Sequence, residues 1–128
     1  MSGKAQILVV DDDREMVVLL TDFLTHQGYE VATANSGKSA LNTVRKNNPL
    51  TPQLVLSDIK MSPINGLELT AALQMEHPNL PVILFSAYCD AGLAQAATQA
   101  GARVFLNKPF ALTQMAELIK KELQKEIA

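Results

Sequence analysis

The sequence contains a single cysteine, Cys89, and no tryptophan among its 128 residues. One thiol excludes an intramolecular disulfide and a zinc site built from several cysteines. Basic residues are not in excess, since 11 Lys and Arg stand against 13 Asp and Glu, and this balance argues against direct nucleic acid binding. No apolar run approaches the roughly 18 residues of a membrane helix, and the N-terminus lacks the shape of a signal peptide. We therefore expect one cytoplasmic domain over 1–128 with no membrane contact.

Short apolar runs alternate along the chain with longer stretches of helical periodicity, such as the helix expected over 67–76. The apolar runs lie at 7–10, 29–34, 54–56, 81–85 and 103–106. Continuous aliphatic runs predict strands buried on both faces, whereas the alternation in 29–34 predicts an edge strand. Five successive β-then-α units predict an α/β fold: a parallel sheet with right-handed crossovers and helices on both of its faces.

Capping residues mark several of the expected helix ends. Asp13, Ser36 and Asp90 are predicted N-caps because their side-chain oxygens can accept a hydrogen bond from the first turn. Gly28 and Gly101 are predicted to end the first and fourth helices. The pattern therefore places the boundaries of three helices close to the strand ends.

Polar side chains follow four of the five predicted strands. Asp11 and Asp12 come after the first strand, Asp58 after the third, Ser86 after the fourth and Lys108 after the fifth. Ligands of open parallel sheets bind beyond the carboxyl ends of the strands, so three carboxylates converge if the first and third strands are neighbours. A divalent cation would neutralise their excess charge, and oxygen ligands favour Mg²⁺. One carboxylate could then act as a nucleophile toward a phosphoryl group.

These residues belong to motifs that together resemble the receiver (phosphoacceptor) domain of two-component response regulators. The matching segments are 7–13, 54–61, 65–69, 83–87 and 101–110, in this order and at the family's separations. The resemblance covers essentially the whole chain. It implies a doubly wound, flavodoxin-like (βα)5 fold with a five-stranded parallel sheet of strand order 2-1-3-4-5.

The resemblance also assigns roles to the polar residues at the strand ends. Asp58 resembles the phosphoacceptor, and Asp11 and Asp12 resemble the acidic pair that holds Mg²⁺. The family pattern adds the backbone carbonyl of Lys60 as a further metal ligand. Lys108 resembles the catalytic lysine that contacts the phosphoryl group.

A second set of residues resembles the switch of the family. Ser86 resembles the switch hydroxyl, and it is expected to act in catalysis beside Asp58. Phe105 falls at the position of the switch aromatic residue, and Pro109 is expected to follow a cis peptide bond. Phosphorylation is expected to draw Ser86 inward, rotate Phe105 and shift the face formed by the fourth helix, fifth strand and fifth helix.

The implied partners are proteins. The phosphodonor would be a histidine on a sensor histidine kinase or on a histidine phosphotransfer domain. The output would be a downstream protein or a fused output domain, and a homodimer that forms on phosphorylation is a further option. The chain would be a signalling module, not an enzyme, that catalyses only its own phosphotransfer and autodephosphorylation.

The sequence departs from the family pattern near the proposed phosphoacceptor. The usual Met-Pro pair reads Met61-Ser62-Pro63, Lys60 stands where short polar residues are common, and Tyr88 is bulky. Because Lys60 and Tyr88 flank the expected path of the attacking water, we expect them to tune the lifetime of the aspartyl phosphate.

Two other functions fit the sequence less well. A phosphatase of the haloacid dehalogenase type would use Asp11 as its nucleophile, but the chain has no room for a cap domain and no later acidic pair. A degenerate receiver would bind partners without phosphorylation, although all the key groups are present. Identifying the aspartate that takes up phosphate separates the three functions.

Overall fold

The computed structural model describes residues 5–46, 52–60, 65–87 and 91–127. Strands and helices alternate in these segments throughout. The strands are β1 (Gln6–Val10), β2 (Glu30–Ala34), β3 (Leu54–Asp58), β4 (Val82–Ser86) and β5 (Val104–Asn107). The helices are α1 (Arg14–His26), α2 (Gly37–Lys46), α3 (Gly66–Glu76), α4 (Ala91–Ala100) and α5 (Leu112–Ile127). None of the helices in the described segments combines the length and the apolarity that crossing a bilayer requires.

All strand pairs are parallel, and the sheet has the order β2-β1-β3-β4-β5. The predicted strand order and the edge position of β2 are therefore confirmed. Val10 of β1 pairs with Ser57 of β3, and Asp58 pairs with Phe85 of β4. This register brings the carboxyl ends of the three central strands to the same edge of the sheet.

The sheet separates two apolar layers. Leu8 and Val10 of β1 pack toward α2, α3 and α4, whereas Ile7 and Val9 pack toward α1 and α5. All four side chains are fully buried, as expected for a strand covered by helices on both faces. Burial of each such aliphatic side chain contributes about 1.5–3 kcal/mol to the free energy of unfolding, so the central strands provide a firm base for the residues at their ends.

Two of the three predicted N-caps are confirmed. The side chain of Asp13 accepts a hydrogen bond from the Glu15 N–H at 3.0 Å. The Ser36 hydroxyl accepts one from the Ser39 N–H at 3.1 Å. The third predicted cap, Asp90, lies outside the described residues.

Helix α3 begins at Gly66, one residue earlier than expected, because Asn65 caps it. The Asn65 side chain accepts a hydrogen bond from the Glu68 N–H at 2.8 Å, and the Glu68 carboxylate accepts one from the Asn65 N–H at 3.1 Å. This reciprocal pair is a capping box, which satisfies two donors that the helix leaves unpaired. It fixes the start of α3 beside the end of β3.

The fourth and fifth strands begin and end one residue later than expected. Two main-chain bonds explain the shift, since the Ile59 N–H donates to the Phe85 carbonyl at 3.0 Å and the Lys108 N–H donates to the Ser86 carbonyl at 2.8 Å. Strand pairing thus continues past the apolar runs. Asp58 and Ser86 are consequently the last residues of β3 and β4, and do not lie in the loops that follow.

Candidate functional site

Three aspartates meet where β1 and β3 end. Asp11 and Asp12 follow β1, and Asp58 is the last residue of its neighbour β3. One carboxylate oxygen from each of the three lies within 4.8 Å of the other two. The structure therefore brings together the acidic residues that the sequence places 46 and 47 positions apart.

Asp11 is the most enclosed member of the cluster, with 1% of its surface exposed. Its Oδ1 accepts a hydrogen bond from the Asp13 N–H at 2.9 Å, whereas its buried Oδ2 has no hydrogen-bond partner among the described residues. The pKa of Asp11 is raised to about 6, chiefly by burial and also by the charge of Asp58, while the Asp13 N–H and Lys108 oppose the rise. A neighbouring positive charge is thus needed to keep this carboxylate ionised at low cost.

Asp58 is also buried, although its side chain retains 9% exposure where that of Asp11 has none. Burial raises the pKa of Asp58, and the charge of Asp12 adds to the increase, whereas Lys108 lowers it. The Ser57 hydroxyl donates a hydrogen bond to the main-chain carbonyl of Asp58 at 2.9 Å. The backbone that carries the carboxylate is thereby held, while its oxygens remain oriented toward the cluster.

Lys108 is the cation that the described residues place in this cluster. Its Nζ lies 3.5 Å from Asp58 Oδ1 and 3.7 Å from Asp11 Oδ2. The peptide bond between Lys108 and Pro109 is cis, as the resemblance implies. The ammonium thus lies between two carboxylates.

The remaining predicted site residues take different positions. Ser86 is 1% exposed at the end of β4, and Phe105 is half-buried on β5, where it packs toward the layer that contains α4. Lys60 is exposed just after β3. Tyr88 lies outside the described residues, as does the segment 61–63.

The site is accessible from one side. A cavity of about 540 Å³ borders the cluster between the ends of β1 and β2, and Asp12 at its wall is exposed. Main-chain bonds hold the surrounding loops; for example, the Asp11 N–H donates to the Ala34 carbonyl at 3.1 Å. The three carboxylates could hold a hard divalent cation, because all the ligand atoms they offer are oxygens.

Sequence reasoning missed two neighbours of the cluster. A Cβ at Gly66 would lie 2.5 Å from the Asp58 carbonyl oxygen, so the start of α3 touches the backbone of Asp58. The ring of Phe85 lies beneath Lys108, with its centroid 5.1 Å from Nζ. Gly66 belongs to the 65–69 motif, so the sequence marked it as a residue of interest. Phe85 has the same pattern as any other apolar residue of a buried strand.

Comparison with known proteins gives one consistent result. A family model described as "Response regulator receiver domain" matches residues 7–120. The transcriptional regulatory protein GlrR of Escherichia coli (strain K12) is 41% identical over 110 residues, which are 85% of this chain and 24% of that protein. The chemotaxis protein CheY of Thermotoga maritima is 35% identical over 117 residues, which are 91% of this chain and 95% of that protein. The chain thus spans about a quarter of the transcriptional regulators it matches, but nearly all of this CheY.

Solved structures agree with the sequence comparisons. A CheY-like response regulator receiver domain protein from Methanospirillum hungatei JF-1 superposes with a TM-score of 0.89 at 27% identity, covering 96% of both chains. The receiver domain of NtrX from Brucella abortus superposes with a TM-score of 0.84 at 32% identity, covering 92% of this chain and 98% of that one.

Proposed function

The chain belongs to the response regulator receiver domain family, whose members act in phosphorylation-dependent signalling, and we propose that it accepts a phosphoryl group on Asp58. The donor would be a phosphohistidine of a sensor histidine kinase or a histidine phosphotransfer domain. The observation that carries this proposal is the cluster itself: three carboxylates within 4.8 Å and the Lys108 ammonium 3.5 Å from Asp58. A phosphoryl group is negative, and its transfer depends on such positioned charges.

In the proposed transfer, an oxygen of Asp58 forms a bond to phosphorus. The bond from phosphorus to the donor imidazole nitrogen breaks, and its electron pair leaves with the imidazole. Lys108 contacts one equatorial oxygen, and the Ser86 hydroxyl donates a hydrogen bond to another. Lys108 neutralises charge on the group and Ser86 orients it, and neither residue forms a covalent bond to it.

We also propose that Asp11, Asp12 and Asp58, with the main-chain carbonyl of Lys60, hold Mg²⁺. The fit is supported by the donor chemistry and by the buried Asp11 Oδ2, which has no hydrogen-bond partner in the described part of the chain. When bound, the ion would supply positive charge to the phosphoryl oxygens.

Asp58 is favoured over Asp11 as the phosphoacceptor for a geometric reason. The Asp11 side chain is fully enclosed and one of its oxygens already accepts the Asp13 N–H, whereas the Asp58 side chain is partly exposed. A nucleophile must be reached by the donor. Asp11 is therefore better suited to hold a cation than to attack phosphorus.

Mass spectrometry after treatment with acetyl phosphate and Mg²⁺ tests this proposal. We expect a phosphoryl adduct on Asp58 in the wild type and none in the folded Asp58→Asn variant. An adduct on Asp11 would indicate a phosphatase of the haloacid dehalogenase type. A folded wild type that takes up no phosphate would indicate a receiver that acts without phosphorylation.

We further propose that phosphorylation changes the face formed by α4, β5 and α5, with Ser86 and Phe105 as the switch residues. The support is the weak anchoring of α4: Leu93 is only partly buried, and among the side chains that the structure describes in this helix the fully buried one is the small Ala97. Alanine buries little apolar area, so such a helix can shift at low cost. Its new position would control a downstream protein, a fused output domain or a second copy of the chain.

Hydrogen exchange measures this change directly. Upon phosphorylation, we expect altered amide protection in residues 87–108 and unchanged protection in β1 and β3. The phosphorylated Ser86→Ala variant should show a smaller change, because it lacks the hydroxyl. Identical exchange in the two phosphorylation states would contradict the proposed switch.

We propose that Lys60, which is exposed just after β3, and Tyr88 tune the lifetime of the aspartyl phosphate in the cytoplasm. Loss of the adduct over time in Lys60→Ala and in Tyr88→Ala, compared with the wild type, tests each residue separately. Unchanged hydrolysis in both variants would contradict the assignment.

A further inference from the structure

The Lys108 ammonium has a third electron-rich neighbour besides the two carboxylates. Its Nζ lies 5.1 Å from the centroid of the Phe85 ring. Phe85 is fully buried on β4, where it pairs with Asp58 on β3. The ring is therefore adjacent to the proposed phosphoacceptor and in contact with the cation that serves it.

The face of an aromatic ring carries negative charge density, so it attracts a cation placed above it within about 6 Å of the ring centroid. This attraction is stronger where water is largely excluded, and the Lys108 side chain is only 19% exposed. Neither carboxylate oxygen approaches the ammonium closer than 3.5 Å. The ring thus adds a directional contact where the two ion pairs are long.

The ring itself is held in place. Phe110 lies against it with a centroid separation of 5.7 Å and an interplanar angle of 59°, a tilted arrangement that aromatic pairs favour. The main chain of Lys108 is bonded to Ser86, the residue after Phe85. Both the cation and the ring are therefore fixed to the same strand end.

We propose that Phe85 is a positioning residue for the phosphoryl transfer. Its ring face holds Lys108 Nζ between Asp58 and Asp11, so the ammonium meets an oxygen of the arriving phosphoryl group with little movement. This inference rests on the proposed function of Asp58. A positioning role for Phe85 differs from ordinary core packing, for which any apolar side chain of similar volume would suffice.

Replacement of Phe85 by phenylalanines with one, two or three fluorines tests the proposal. Fluorine withdraws charge from the ring face but hardly changes the shape of the side chain. We expect the rate of phosphorylation by acetyl phosphate with Mg²⁺ to fall stepwise along the series, by about threefold to tenfold for the trifluorinated ring. The same series at Phe23, which packs in the same apolar layer from α1, is the matched control and should leave the rate unchanged.

The contact between Lys108 and the Phe85 ring can also be measured by NMR, without phosphate or metal. A proton above an aromatic ring resonates upfield, so we expect upfield ε-methylene signals of Lys108, assigned by comparison with Lys108→Ala. These signals should return to ordinary positions in Phe85→Leu, whose thermal melting shows whether the core tolerates the change. Ordinary Lys108 signals in the wild type would overturn the proposal.

The outcomes separate this proposal from the one it rests on. A wild type that is phosphorylated on Asp58, with rates that stay flat along the Phe85 series, overturns the role of Phe85 alone. A wild type without an adduct on Asp58 overturns the proposed function, and with it the positioning role. In that case, upfield Lys108 signals would show that the ring contact exists but serves only the packing of the core.

Discussion

At the scale of single residues, Asp11 shows how the acidic cluster lowers the free energy of unfolding. The carboxylate is almost completely buried beside a second one, and its pKa is raised to about 6. The unfolded chain has a value near 3.8. The folded state binds the Asp11 proton more tightly than the unfolded state does. Protonation of Asp11 therefore stabilises the fold fully below the unfolded pKa of 3.8, and this stabilisation is lost as the pH rises through about 6.

We therefore predict that, without divalent cations, the wild type loses about 2 kcal/mol of unfolding free energy relative to Asp11→Asn between pH 4 and pH 7. Urea denaturation in EDTA at several pH values measures both proteins. Titrating groups distant from Asp11 are shared and cancel in the difference, whereas Asp58, whose charge interacts with that of Asp11, contributes to it. Parallel pH profiles would show that the burial of Asp11 does not penalise its charge.

At the scale of elements, the start of α3 is built against the end of β3. The Gly66 N–H donates to the Ile59 carbonyl at 2.8 Å, and the Asp58 carbonyl occupies the space that a side chain at position 66 would need. The capping box of Asn65 sets where the helix begins. The backbone of the proposed phosphoacceptor is thus positioned by a helix as well as by its neighbouring strands.

Gly66→Ala should destabilise the protein by about 1–3 kcal/mol, because its Cβ would force the Asp58 backbone to move. The same variant should take up phosphate from acetyl phosphate more slowly. Gly92→Ala on the exposed side of α4 is the control, and it should be neutral or stabilising because alanine favours a helix. Equal stability of Gly66→Ala and wild type in urea denaturation would show that this contact is easily relaxed.

At the scale of the whole molecule, the sequence predicts the order of strands and helices better than the side-chain and backbone contacts around the site. Apolar runs and caps predict five β-then-α units, and the resemblance supplies the strand order that the structure confirms. The meeting of Asp11, Asp12 and Asp58 follows because parallel strands end at one edge. The ring beneath Lys108 could not be predicted, since a buried Phe85 has the same pattern whether or not a cation lies above it. The close approach at Gly66 likewise depends on how α3 docks.

Mg²⁺ should stabilise the whole molecule, because a ligand that binds only the folded state shifts the unfolding equilibrium. At a concentration about 100 times its dissociation constant, the ion would add about 2.7 kcal/mol. We expect MgCl₂ to raise the melting temperature of the wild type, measured by circular dichroism, and to raise that of Asp12→Asn much less. KCl at the same ionic strength controls for screening, and an equal rise with KCl would contradict a specific site.

The loops around the site are secured by their main chains, through the bonds from Asp11 to Ala34, from Ile59 to Phe85 and from Lys108 to Ser86. Such bonds do not depend on which side chains the loops carry. The course of the main chain in these loops therefore depends little on the side chains at their exposed positions. If Lys60 tunes the lifetime of the adduct as we propose, substitutions at this one surface position would give a set of signalling modules that differ in signal duration.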